Sequence, residues 1–379
     1  MGSSIANIFG WVFVFQYFFI QTGALAKALV GTALMYSLAQ AIMMLLTPFA
    51  AAHLRRGVKR SIVYGALLAG AAYVYLGATL EGTFRGEPVG WGIAVFAMLL
   101  GASRSLYWVP YQLRATSDRN DRSRMPLVHE AVIALMPIFA GITLMTIPFG
   151  AERILFGAAV FVAISLFPLI SLQDVSEGFS WKYGDTFRRL FASRNERLLA
   201  VSFTQGVQGV SLFLLWPIAV LLVVGLSYQT LGVVMSATLF AVLAVRAVYR
   251  RFVKSAGVEH SGTMHAVLSV SGWVLRIFAG TPFAVFFIDS YSYISAPART
   301  HGIDVFAYEQ AADQGSFVDE YTTLKEMGLA LGRIGGCLIF GLFLLWVPIS
   351  YAFGGAFLLA AAASAVSVII ERSAAPAVY

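Results

Sequence analysis

The chain has 379 residues, of which 59% are hydrophobic and 12% charged, with a mean hydropathy of +0.78 and a formal net charge of +7. That composition exceeds what a water-facing surface tolerates and identifies a polytopic membrane protein. It excludes a water-soluble globular domain, and it excludes a transmembrane barrel, whose strands would read as short stretches of alternating polarity.

A helix crosses the hydrocarbon with about 17–25 apolar residues. Runs of that kind fall near 6–22, 28–52, 62–80, 90–112, 128–149 and 153–172, then near 198–224, 229–249, 264–280, 282–297, 324–346 and 349–370. The expected fold is therefore all-α and integral to the membrane, with twelve spans in two sets of six. Span one starts almost at Met1 and is read as a span, because no small-residue cleavage site precedes a polar segment.

Span one carries Gln16, Tyr17 and Gln21. Span two ends in the basic loop "HLRRGVKR". Span four places Arg104 in the middle of an apolar segment, where a charge costs about 2.5–3.5 kcal/mol on insertion scales, so something must offset it. Tyr107 and Tyr111 follow on its helical face. Arg114 and, at the start of span five, Glu130 lie toward the cytoplasmic ends of their spans.

The loop 173–197 divides the chain into 1–172 and 198–379. Its "WKYGDTFRRLF" fits either a solvated linker or a short amphipathic helix with Trp181, Phe187, Leu190 and Phe191 toward lipid. Span seven brings Gln205 and Gln208, with Leu212 and Trp216 on roughly the same stripe. Buried amides and phenols demand partners, which a hydroxylated or amphiphilic organic substrate can supply; for the tyrosines and Trp216, interhelical packing serves equally well.

Arg276 in span nine has no evident partner in the sequence and either snorkels or pairs within the C-terminal half. Span ten carries Asp289, Ser292 and Tyr293, with Arg299 just beyond it. Span eleven begins with Glu326, continues to Arg333, and shows a small face of Gly328, Gly332, Gly335, Gly336 and Gly341 suited to close packing.

Loops on alternate sides carry 20 and 3 Lys or Arg residues, which places both termini in the cytoplasm and accounts for the net charge without a nucleic-acid partner. The one cysteine, Cys337, lies within a span, so neither a disulfide framework nor a thiolate metal site is expected. The five histidines lack ligand spacing, and there is no phosphate-cradling Gly-x-x-x-x-Gly-Lys-Ser/Thr loop. No cofactor and no metal are expected.

The halves also repeat. Arg55-Arg56-x-x-Lys59 recurs as Arg250-Arg251-x-x-Lys254, the Arg104/Arg114 spacing recurs as Asp289/Arg299, and "HEAVIALMPIFAG" matches "KEMGLALGRIGGC" with Glu130 against Glu326 and Pro137 against Arg333. With a basic span 2–3 loop and a long central loop, the chain resembles the major facilitator superfamily of secondary transporters over nearly its whole length. Of that superfamily's span 2–3 motif it keeps Arg55, Gly57, Lys59 and Arg60, but has Ala50 for the first Gly and Leu54 for the Asp.

The resemblance implies that spans 1, 4, 7 and 10 line a central cavity, with Arg104 and Asp289 facing each other as substrate anchor and counter-ion or proton carrier. The alternative for this pair is a static ion pair. The same resemblance makes Arg114, Glu130, Arg299, Glu326 and Arg333 cytoplasmic gate contacts. The expected function is alternating-access transport of a small organic solute by a monomer, coupled to protons, in a plasma or bacterial inner membrane. The other readings are a transport-inactive receptor, scaffold or assembly factor of the same fold, and an intramembrane lipid enzyme using His129 and Glu130. The favoured reading is not enzymatic.

Overall fold

A computed structural model describes residues 2–83, 90–117, 126–146, 150–170, 174, 178–252, 262–294 and 318–374; the backbone alone is described at 2–8, 112–117, 126–130, 170, 246–252, 262–266, 293–294, 318–319 and 371–374. Among the described residues every regular element is helical. The helices are α1 (Gly2–Thr22), α2 (Leu25–His53), α3 (Val58–Glu81), α4 (Trp91–Ser117), α5 (Pro126–Thr146), α6 (Gly150–Ile170), the short α7 (Tyr183–Leu190), α8 (Glu196–Val210), α9 (Trp216–Val223), α10 (Tyr228–Phe252), α11 (Gly262–Leu275), α12 (Pro282–Ile294), α13 (Val318–Trp346) and α14 (Ile349–Ala374). Among the described residues, eight helical stretches are long and apolar enough to cross a membrane, among them Leu25–Arg56, Ser193–Val223 and Glu320–Trp346. Ala131–Thr146 and Val267–Phe278 are shorter apolar helices.

The seventh apolar run is one continuous rod with a defect. A π-helical turn, Ser211–Leu215, joins α8 to α9, and Pro217 stands in the first turn of α9, where its missing N–H costs least. Ser211 Oγ donates to the Val207 carbonyl at 3.2 Å.

Helix pairing follows an order that recurs along the chain. In the first six helices α1 packs on α2, α5 and α6, α2 on α4, α3 on α4 and α6, and α5 on α6. In the later ones α9 packs on α10, α8 on α13 and α14, α10 on α12, α11 on α12 and α14, and α13 on α14. Two further large interfaces, α2 with α13 and α5 with α10, connect the two groups.

Small residues set the closest approaches. A Cβ on Gly332 would collide with the Phe203 carbonyl oxygen, and one on Gly206 with that of Leu329, so α8 and α13 touch backbone to backbone. Gly328, Gly335 and Gly336 also face α8, whereas Gly341 faces open space. At α5 against α10, Gly232 takes the Pro137 carbonyl and Ser236 Oγ accepts the Ile138 N–H at 2.9 Å, inside the turn that Pro137 interrupts.

Described residues of the central loop bind the helix ends. Asp174 Oδ1 accepts the Lys59 N–H at 3.0 Å and Asp174 Oδ2 lies 3.9 Å from Arg60 Nε, which caps α3 with a carboxylate. Gly57, at φ 122°, leaves room for that carboxylate, into which a Cβ there would run. Arg55 donates to the Phe179 carbonyl. Ser180 then gives both its N–H (2.8 Å) and its hydroxyl (2.7 Å) to Glu320 Oε1 on α13.

Helix α7 forms as expected, but with its apolar face inward. Leu190 is buried with Leu198, Tyr321, Leu324 and Met327, and Trp181 and Phe187 pack against that cluster, leaving Phe191 exposed. The expectation of a lipid-facing stripe is corrected for Trp181, Phe187 and Leu190: α7 lies against both α2 and α13, whose side chains supply the apolar surface.

Candidate functional site

Asp289 is 1% exposed, near the middle of α12. Its counter-ion is Arg276, whose Nη2 lies 3.1 Å from Oδ1, and Trp216 Nε1 donates to Oδ2 at 2.8 Å. The guanidinium lies against two indoles, 5.0 Å from the ring centre of Trp216 and 4.5 Å from that of Trp273. Trp216 in turn meets Phe357 of α14 edge-on at 5.6 Å. The expected Arg104–Asp289 facing pair is thus corrected. Asp289 is compensated from α9 and from the turn after α11, because the short connection between α11 and α12 brings Arg276 and Asp289 to the same depth.

The π-helical turn takes part in this arrangement. One extra residue in a helical turn rotates the downstream helix by about 100° relative to the upstream one. Trp216, just past the turn, is buried and reaches Asp289, while Leu212, within it, is partly buried against the same core.

A second arginine stands in different surroundings. Arg333 is half-buried near the midpoint of α13, and its Nη1 donates to Gln40 Oε1 at 3.1 Å. Gln40, fully buried, sits near the midpoint of α2. Arg333 runs over Gly209 of α8, where an added Cβ would come within 3.3 Å of its Nε. Expected with the cytoplasmic gate, Arg333 therefore lies at mid-helix, across the interface of α2, α8 and α13.

Gln208, buried, donates to the Thr204 carbonyl at 3.5 Å, and Gln205 is half-buried one turn away on the same helix. Gln16 accepts from the hydroxyl of Tyr228, the first residue of α10, and Tyr228 also meets Phe9 and Phe13 of α1. Tyr17 is half-buried, edge-on to Phe18. On α4, Arg104 is half-buried within electrostatic reach of Tyr73 on α3 and has further partners, and Tyr107 stacks on Tyr111 at 5.6 Å. Glu326 is buried near the start of α13 and partnered. Arg299 and the side chains of Arg114, Glu130 and Tyr293 lie outside the described residues.

Three contributors escaped the sequence reading. Gln40 carried the same signal as Gln16, an amide in mid-span. Trp273 lies three residues before Arg276, one helical turn away. Asp174 supplies a carboxylate to the span 2–3 loop, where Leu54 offers none.

Fold and site together define a multi-pass α-helical membrane protein with buried polar and charged groups in its helices. No known family model matches the chain, and no curated protein matches it.

Proposed function

We propose that the chain is a secondary transporter of the major facilitator superfamily. In this reading 1–172 and 198–379 are parallel six-helix halves joined by 173–197, and the protein moves a small organic solute by alternating access. The observation that carries the reading is the recurring order of helix pairing. Every pairing among α1 to α6 has its counterpart among α8 to α14, with α8 and α9 as one span, and the two large connecting interfaces, α2 with α13 and α5 with α10, exchange under the same two-fold operation. An internally duplicated bundle hinged on two equivalent interfaces can open alternately to either side.

Protons are proposed as the coupling ion because Asp289 and Glu326 are buried carboxylates on membrane helices, the group type that takes up a proton there. The central loop fits a cytoplasmic closure, bridging α3 through Asp174 and α13 through Glu320.

Transport by protein reconstituted in liposomes tests the reading. Sugars, amino acids, organic acids and hydrophobic cations are offered with and without an imposed pH gradient. The expected result is saturable flux of one class, accelerated by the gradient and abolished by Arg104→Ala. Flux of no class, together with a stable protein partner at purification, overturns it in favour of a scaffold.

A further inference from the structure

The chain pairs one mid-membrane arginine with a carboxylate and leaves another, half-buried, with only an amide, although an unmet Nε is common to both. Arg276 has a carboxylate and two indole faces. Arg333, in the middle of its helix, has one amide oxygen. Among the described residues no carboxylate pairs with it. Its Nε has no hydrogen-bond partner, and neither has Gln40 Nε2 beside it.

The polarity of these groups is fixed. A guanidinium only donates, so the Gln40 oxygen must face Nη1, which leaves the amide nitrogen as a second unmet donor. All the unmet capacity is therefore donor capacity, beside a positive charge whose burial is costly. With Nη1 engaged, the Nε/Nη2 edge remains, and that edge presents two parallel N–H bonds at the spacing of two oxygens on one carbon or phosphorus.

We propose that Arg333 and Gln40 form the docking point for an oxyanion group, carboxylate or phosphate in type, on the transported solute. This rests on the transport reading above. Arg333 supplies the charge and the paired N–H bonds, and Gln40 Nε2 supplies a third donor from the other half. Gly209 is a positioning residue: its missing side chain lets the arginine lie flat on α8. Because Nε is enclosed and the Nη1–Gln40 bond crosses the α2–α13 interface, the oxyanion reaches the fork when those helices part and that bond opens.

Binding is measured on purified protein in nanodiscs of neutral phosphatidylcholine, by thermal shift and calorimetry. The probes are acetate, lactate, succinate and inorganic phosphate, with acetamide and lactamide as neutral partners, and a second disc series contains phosphatidylglycerol. The proposal expects at least one soluble anion to bind with its neutral partner at least tenfold weaker, Arg333→Gln to lose at least tenfold in affinity, and Gln40→Leu and Gly209→Ala to lose severalfold. Without probe, Arg333→Gln should melt at or above the parent temperature, since it removes an uncompensated charge; a marked fall would mark Arg333 as structural and overturn the proposal. Equal binding of anion and neutral partner, or no binding by any anion at 10 mM, also overturns it. Stabilisation by phosphatidylglycerol alone assigns the fork to lipid headgroups and overturns the solute assignment. Anion binding at Arg333 without flux leaves the site standing and fails the transport reading, whereas flux of neutral solutes alone does the reverse.

Discussion

Arg104, Arg276 and Arg333 stand well inside apolar runs, and each is met differently. Arg276 is fully internal, with both oxygens of Asp289 engaged and two indole rings against its guanidinium. Removing one member of such a pair strands the other, at a cost of about 3 kcal/mol, whereas exchanging both for apolar groups of similar size costs far less. Asp289→Asn is therefore expected to lower the melting temperature of detergent-purified protein sharply, and the double variant Asp289→Leu with Arg276→Met to recover most of the loss. A double variant as unstable as the single one would show that the pair contributes more than mutual neutralisation. At this scale the sequence marks the anomalous residues, because a charge in an apolar run is visible in one dimension. It cannot give their partners, since Arg276 and Arg104 were equally available to Asp289 until the chain folded.

Helix α13 illustrates how far an element can be read before it is packed. Its glycine face was legible at positions 328, 332, 335 and 336, and these are the residues that meet α8. Gly341 belongs to the same series in sequence but has nothing within 4 Å of an added Cβ. Gly332→Ala, forced against the Phe203 carbonyl, is expected to cost about 3 kcal/mol, at the upper end of overpacking penalties, while Gly341→Ala should be neutral or stabilise by up to about 1 kcal/mol. Thermal unfolding of the two variants side by side decides this, and equal effects would remove the close-packing argument.

Helix α7 gives the complementary case. Its amphipathic period was visible, but a period fixes only which residues share a face. Leu190, buried among residues of α8 and α13, should cost about 3 kcal/mol on truncation to Ala, and Phe191, exposed, should cost almost nothing. If Phe191→Ala instead releases the loop from the protein, measured by protease cleavage between 174 and 196, the inward assignment fails. The π-helical turn in the seventh span left no comparable trace, because "SLFLL" reads as ordinary apolar helix.

At the scale of the whole molecule, the central loop holds the two groups of helices together on the side where Asp174, Ser180 and Glu320 lie. Under the proposed alternating access this closure must release in each cycle. A cross-link between Ser180→Cys and Glu320→Cys, whose side chains meet at 2.7 Å, should stop flux and reductant should restore it; Cys337 lies in the middle of α13, away from this pair. Undiminished flux in the cross-linked protein would rule the loop out as a moving closure. The repeat was faintly legible in matched motifs such as Arg55-Arg56-x-x-Lys59 and Arg250-Arg251-x-x-Lys254, whereas the recurring order of helix pairing emerges only in three dimensions.

The sequence by itself determined the solvent, the helical class and the positions of most apolar helices, because each depends on local composition and on a run length set by the bilayer. It also marked the residues whose charge or polarity needs a partner. The tertiary structure alone decided who those partners are: Arg276 for Asp289, Gln40 for Arg333, Glu320 for Ser180. Hydrogen bonds and ion pairs act over about 3 Å, and which groups come that close depends on how the helices pack, which one-dimensional periodicity does not contain.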